Sequence, residues 1–148
     1  MVSASTLPEQ SLLHNRLQPD DFLDCYRTTT TLGVEEAAQR AMAFPGWARG
    51  LLRLRNLIVA PLGLKTAHAE QDNIGPFPIT ERNEHELILG FDDTHLDFRI
   101  SILVKDQQAY GATWVRRHNR LGRIYLAAIM PFHKAIMRSA VKAMSDER

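Results

Sequence analysis

The densest collection of side chains able to do chemistry is the run Asp92, Asp93, His95 and Asp97. Carboxylate oxygens and an imidazole so close together could hold a hard cation or a zinc ion. In an extended segment, alternation sends His95 and Asp97 to one face while Asp92 and Asp93 fall in a turn. No second ligand pair at a metal-motif spacing occurs elsewhere, so a polar hairpin turn is the plainer reading, and neither a metal nor any other cofactor is expected. Asp97 also shares a face with Arg99 and Ser101, where Arg55 could meet them as a buried ion pair or as the polar patch of a cavity. Catalysis would need a general acid or base beside a bound substrate, and Glu86, His95 and Asp97 are the first candidates.

A second cluster, Arg116, Arg117, His118, Arg120 and Arg123, falls where a strand would enter a helix, and positive charge at a helix N-terminus opposes the helix dipole. An anion could compensate: a phosphate or carboxylate at the free N–H groups, or acidic side chains from earlier in the chain. Residues 1–104 hold 9 Lys/Arg and 14 Asp/Glu (net −5), and residues 105–148 hold 9 and 3 (net +6), summing to +1. No extended Lys/Arg run accompanies this split, which favours pairing within the fold. Nucleic acid is not expected, because the cluster lacks interleaved aromatics and the chain is nearly neutral. The single cysteine, Cys25, has no neighbouring base and reads as a small buried strand residue. Phosphate-loop, nucleophile-elbow and zinc-helix patterns do not occur.

Those residues sit in a chain of 148, with 45% hydrophobic and 24% charged residues. That is ordinary globular composition at single-domain length. We expect an N-terminal arm over residues 1–19 and one α+β domain over 20–148. A lone cysteine and the lack of any Asn-x-Ser/Thr acceptor favour the cytoplasm. Neither a basic segment nor a continuous apolar one marks a signal peptide in residues 1–20. The longest apolar run, Ile124 to Phe132, is about half of the ~20 residues a membrane crossing needs, so no transmembrane segment is expected.

Pro19 ends the loosely held arm, and Asp20 to Thr30 has the aromatic and β-branched composition of a strand. A helix starts at Thr31 or Gly33, with Glu35 and Glu36 in its first turn, and runs to about Phe44 before Pro45 and Gly46. A second helix follows over Trp47 to Val59, with Trp47, Leu51, Leu54 and Ile58 on one stripe. Gly63 to Pro78 reads as loop, with an edge strand conceivable at Leu64 to His68. Strands are predicted at Ile79 to Arg82, Glu86 to Phe91, Leu96 to Val104 and Ala109 to Arg117, joined by turns at Asp92-Asp93-Thr94 and Lys105-Asp106-Gln107. A long helix, Leu121 to Met144, closes the chain. Asn119 is its N-cap, Leu121, Ile124, Tyr125, Ala128, Phe132, Ile136 and Met144 form its apolar stripe, and Lys134, Arg138 and Lys142 lie on its wet face. Pro131 is expected to kink or split it.

This order predicts an antiparallel sheet of about five to seven strands wrapped around the C-terminal helix, with two short helices after the first strand. The order resembles the helix-grip, or Bet v 1-like, fold. Three segments resemble a bacterial family catalogued as domain of unknown function 2867 over roughly residues 20 to 144: Arg55-Asn56-Leu57-Ile58-Val59 with Gly63-Leu64-Lys65-Thr66; Gly90 through Arg99; and Asn119 through Tyr125 with Pro131-Phe132-His133. The resemblance implies an accessory or small-molecule-binding role and brings no catalytic residues. In related chains a similar domain follows a dinucleotide-binding reductase domain, whose Gly-x-Gly-x-x-Gly fingerprint does not occur here.

The expected site is a pocket between sheet and C-terminal helix, lined by Trp47, Phe98, Ile100, Ile102, Trp114, Tyr125 and Phe132, with a small apolar or amphipathic ligand as the partner. An enzyme of isomerase, cyclase or hydrolase type using a polar group in that pocket is the first alternative. A protein-interaction module using the basic C-terminal region is the second. The oligomeric state is not legible.

Overall fold

A computed structural model describes residues 2–43, 46, 50, 73–74, 77–92 and 95–145. The described residues form one antiparallel sheet of seven strands, ordered β1-β2-β7-β6-β5-β4-β3. These are β1 (Ser3–Ala4), β2 (Phe22–Thr29), β3 (Asn73–Ile74), β4 (Phe77–Arg82), β5 (Glu86–Asp92), β6 (Leu96–Lys105) and β7 (Gln108–Arg117). Helix α1 (Val34–Met42) follows β2, and α2 (Arg120–Met144) ends the fold. The α+β architecture and the long C-terminal helix are those expected. Strands β1 and β3 escaped the sequence reading because two residues are too few to carry a period. The second helix, with Trp47 and Arg55, the Leu64 to His68 edge and most of the loop around it lie outside the described residues.

Strand alternation sorts the sheet into two faces. On the inner face, which α2 covers, the register stacks four rows across the strands. They are Phe22–Val115–Phe98–Phe91, Asp24–Thr113–Ile100–Leu89, Tyr26–Gly111–Ile102–Leu87 and Thr28–Ala109–Val104. The third and fourth rows pack with Met137, Ala140, Val141 and Met144 of α2 and with Ala37, Ala38 and Ala41 of α1. Gly111 lets α2 close down, since a Cβ there would stand 2.7 Å from Val141 Cγ2. The first row packs with Leu126, Ile129 and Met130, and the Phe91 and Phe98 rings meet edge-on at 4.8 Å.

Helix α2 stays continuous through Pro131, so the proline costs a hydrogen bond without splitting the helix. At about 1.5 Å per residue its 25 residues span roughly 37 Å. Its inward stripe is Leu126, Met130, His133, Met137, Ala140 and Met144, at heptad spacing; of the stripe expected from the sequence, Met144 is fully buried and Tyr125 and Ile136 pack partly buried against the core, while others turn outward. Ile124 and Phe132 are 65% and 52% exposed. The reason is angular: Phe132 lies about 100° from His133 around the helix, on a flank rather than on the seam. Asn119 is the N-cap, its Oδ1 accepting from Gly122 N at 3.0 Å.

The N-terminal arm is docked on the outer face rather than loosely held. Ser3 and Ala4 pair with Arg27 and Tyr26. Leu13, on a short 3-10 turn (Leu12–Asn15), is fully buried against Cys25, Ile88, Ala112 and Trp114. Small side chains at Cys25 and Ala112 leave the hollow that Leu13 fills, and burying a leucine contributes about 1.5–3 kcal/mol. Gly90 takes φ +138°, which side-chain-bearing residues rarely adopt, and a Cβ there would overlap the Phe98 carbonyl.

Candidate functional site

The second inner row breaks the apolar pattern. Asp24 and Thr113 sit directly opposite each other on β2 and β7, between a phenylalanine-rich row and the Tyr26–Ile102 row. From α2, His133 reaches down to this row, and its Nε2 lies 3.1 Å from Asp24 Oδ2. The Phe22 ring meets the imidazole edge-on at 6.0 Å. Both partners are largely buried, His133 at 14% and Asp24 at 18% side-chain exposure. The second carboxylate oxygen, Asp24 Oδ1, and the Thr113 hydroxyl are buried with no hydrogen-bond partner. Buried polar groups normally find partners, so two orphaned oxygens in adjacent strands mark this row as unfinished chemistry. With Nε2 donating to Asp24, His133 would keep its Nδ1 lone pair for another molecule.

His133 occupies a core position of the α2 heptad, and Asp24 stands in phase with Phe22, Tyr26 and Thr28. That is the signal by which both could have been found: a polar residue in register with an apolar period.

The candidates read from the sequence divide between the two faces. Phe98, Ile100 and Ile102 are inner-face residues, and Tyr125 packs beside the first row. Trp114, expected among them, stands on the outer face, because β7 turns Gly111, Thr113 and Val115 inward and its even residues outward. Phe132 is on the exposed flank of α2. Trp47 and Arg55 lie outside the described residues. The seam behind His133 is filled by side chains of the third and fourth rows. A shallow depression of about 280 Å³ opens elsewhere, between Thr29–Thr31 and the Asp106–Gln108 turn.

The polar candidates Glu86, Asp97 and Arg99 all belong to the outer face, away from the helix. Glu86, 1% exposed, accepts from Ser11 Oγ at 2.6 Å, from Leu12 N at 2.7 Å and from Ser101 Oγ, which makes it the anchor of the N-terminal arm. Arg99 reaches Asp92 Oδ1 at 2.8 Å and its own strand's Phe98 carbonyl at 2.8 Å, and its Nε has no partner. Asp97 pairs with His118 at 2.9 Å, and His95 Nδ1 lies 2.8 Å from Asn119 Nδ2. The Asp92, His95 and Asp97 set is thus spread over separate partners. Among the described residues no group of three His, Cys, Asp or Glu could hold a metal ion.

The basic cluster is largely matched by acids of the preceding segment. Asp21 accepts from Arg116 Nη2 at 3.0 Å, from Trp114 Nε1 at 2.8 Å and from Gln18 N at 2.9 Å. Burial pushes the Asp21 carboxyl up, but those hydrogen bonds, Arg116 first, outweigh it and hold the group below the usual carboxylate range. Arg116, raised above its ordinary value mainly by the Asp21 bond, lies 5.0 Å over the Trp114 ring, with Arg16 at 5.6 Å. Arg123 reaches Asp20 Oδ2 at 2.7 Å, and Arg117 lies 3.9 Å from Asp20 Oδ1. Arg120 is exposed. Among the described residues, no helix is long and apolar enough to cross a membrane.

No curated protein matches the chain. A family described as Protein of unknown function (DUF2867) matches residues 17–140, which takes in the whole sheet except β1, all of α1, α2 up to Ala140 and the Asp24–His133 row, and leaves out most of the docked arm. The chain therefore belongs to the DUF2867 family.

Proposed function

We propose that this domain binds a small apolar or amphipathic molecule between α2 and the inner face of the sheet, in a helix-grip-like arrangement, with Asp24, Thr113 and His133 as the polar end of the site. The observation that carries this reading is the pair of buried, unpartnered oxygens, Asp24 Oδ1 and Thr113 Oγ1, lying between two apolar clusters beside a histidine. Ligand sites are mostly apolar walls with a few converging polar groups, which is the composition of this row and its neighbours. Phe98, Ile100 and Tyr125 would supply the walls. Native mass spectrometry of freshly purified protein, followed by melting curves with alkanes, sterols and polyketide-like aromatics, tests the reading. A bound small molecule or a ligand-dependent rise in Tm is expected. A mass equal to the bare chain, together with no stabilising compound, would discard it in favour of an interaction module using the basic C-terminal region.

The Asp24–His133 contact also favours an enzymatic reading, because a carboxylate that orients an imidazole leaves the other ring nitrogen to accept a proton. In that reading the chemistry is proton transfer on the bound molecule, as in an isomerase or cyclase. Turnover that disappears in His133→Gln while ligand binding persists would distinguish it from binding alone.

A further inference from the structure

We propose that the molecule held in this seam is a neutral alcohol or phenol, whose hydroxyl group bridges Asp24 Oδ1 and Thr113 Oγ1. The inference rests on the binding reading above and narrows it to a ligand class. A carboxylate oxygen only accepts hydrogen bonds, so whatever completes Asp24 must donate. Thr113, 4% exposed, carries a hydroxyl hydrogen that also needs an acceptor, and it stands directly across the strand pair from Asp24. One hydroxyl does both, donating to Asp24 and accepting from Thr113. A ligand ammonium could only donate and would leave the threonine hydrogen without an acceptor. A ligand carboxylate would bring like charge against Asp24 in a desolvated row, where such juxtaposition is strongly unfavourable. Beside the His133 imidazole and the Tyr26–Gly111 pair, the neighbours Phe22, Val115 and Ile100 are apolar and suit the ligand's hydrocarbon part.

The arrangement distinguishes molecules that share one tail and differ only in head group. Dissociation constants for 1-decanol, decane, decylamine and decanoate, measured by calorimetry on the intact chain, give the ranking. Decanol is expected to bind about tenfold tighter than decane, the order of magnitude of one satisfied buried hydrogen bond, with decanoate weakest. Thr113→Val keeps the shape of the side chain and removes the hydroxyl. It is expected to erase most of decanol's advantage while leaving the affinity for decane nearly unchanged. Asp24→Asn, whose carboxamide no longer repels an anion, should improve decanoate relative to decanol. Equal affinity for decane and decanol, a preference for decanoate or decylamine, or an alcohol preference that survives Thr113→Val would each overturn the alcohol assignment while leaving a seam that binds apolar molecules. If none of the four compounds binds, both the assignment and the binding reading fall.

Discussion

Replacing Gly122 by alanine tests how closely α2 approaches the β5–β6 hairpin. The position is helical, and in a helix exposed to water this change stabilises by about 1 kcal/mol. Here the sign should reverse. A Cβ on Gly122 would overlap the His95 carbonyl oxygen and stand 3.1 Å from its carbon. No rotamer relieves that contact, because the obstacle is backbone, and the same carbonyl already accepts from His118 N at 3.0 Å. Overpacking costs about 1–3 kcal/mol, and an overlap with backbone that cannot rotate away falls in the upper part of that range, about 2–3, so after the gain of about 1 kcal/mol the net destabilisation should be about 1–2 kcal/mol. At this chain length that corresponds to a Tm lower by roughly 2–8 °C. Urea unfolding followed by circular dichroism measures it, with Ala128→Gly on the exposed side of α2 as the internal scale, expected to lose about 1 kcal/mol. If Gly122→Ala instead gains what Ala128→Gly loses, the helix N-terminus does not press on the hairpin and the placement of α2 is wrong.

Other consequences can be measured with the same protein. Glu86→Ala strands the hydroxyls of Ser11 and Ser101 and the Leu12 N–H without their acceptor, and should cost about 3 kcal/mol and expose the first fifteen or so residues to limited proteolysis; an unchanged cleavage pattern would show that Glu86 does not hold the arm. The Cys25 thiol, driven up to about 12 by burial and then by the nearby Asp24 charge, should react with a thiol reagent at pH 8 only after denaturation. Rapid labelling of the native protein would contradict its burial. Because the folded Asp21 carboxyl lies below its unfolded value, the stability it contributes is present above the unfolded pKa of about 3.9 and is lost as pH falls through the lower folded pKa. Asp21→Asn should therefore flatten the acid limb of the stability curve below pH ~4, and an unchanged limb would mean the Arg116 and Trp114 bonds do not form in solution.

Much of the fold was legible because its signals are local. The alternation of Phe98, Ile100, Ile102 and Val104 with Asp97, Arg99 and Ser101 specifies a half-buried strand whatever its partners are, and β6 spans Leu96–Lys105 as that period requires. Asn119, the acids of α1 and the Asp106-Gln107 turn, whose φ values of 52° and 61° suit a tight hairpin, are likewise decided within a few residues. What the local signals do not contain is which strand lies beside which, and therefore which face each alternation presents to the helix. Trp114 and Thr113 are neighbours in the chain, yet pairing with β2 and β6 sends the tryptophan outward to Asp21 and the threonine inward to Asp24. From the sequence Glu86 is one of three candidate general acids or bases; only the docked arm, some 75 residues away in sequence, shows it to be an anchor. The Asp24–His133 pair is the same lesson reversed, since each residue alone is a polar interruption in an apolar period, and their 109-residue separation is closed only when α2 crosses the sheet. Periodicity is a property of one segment and can be read from the sequence, whereas a site is a relation between segments and exists only once tertiary packing has brought their faces together.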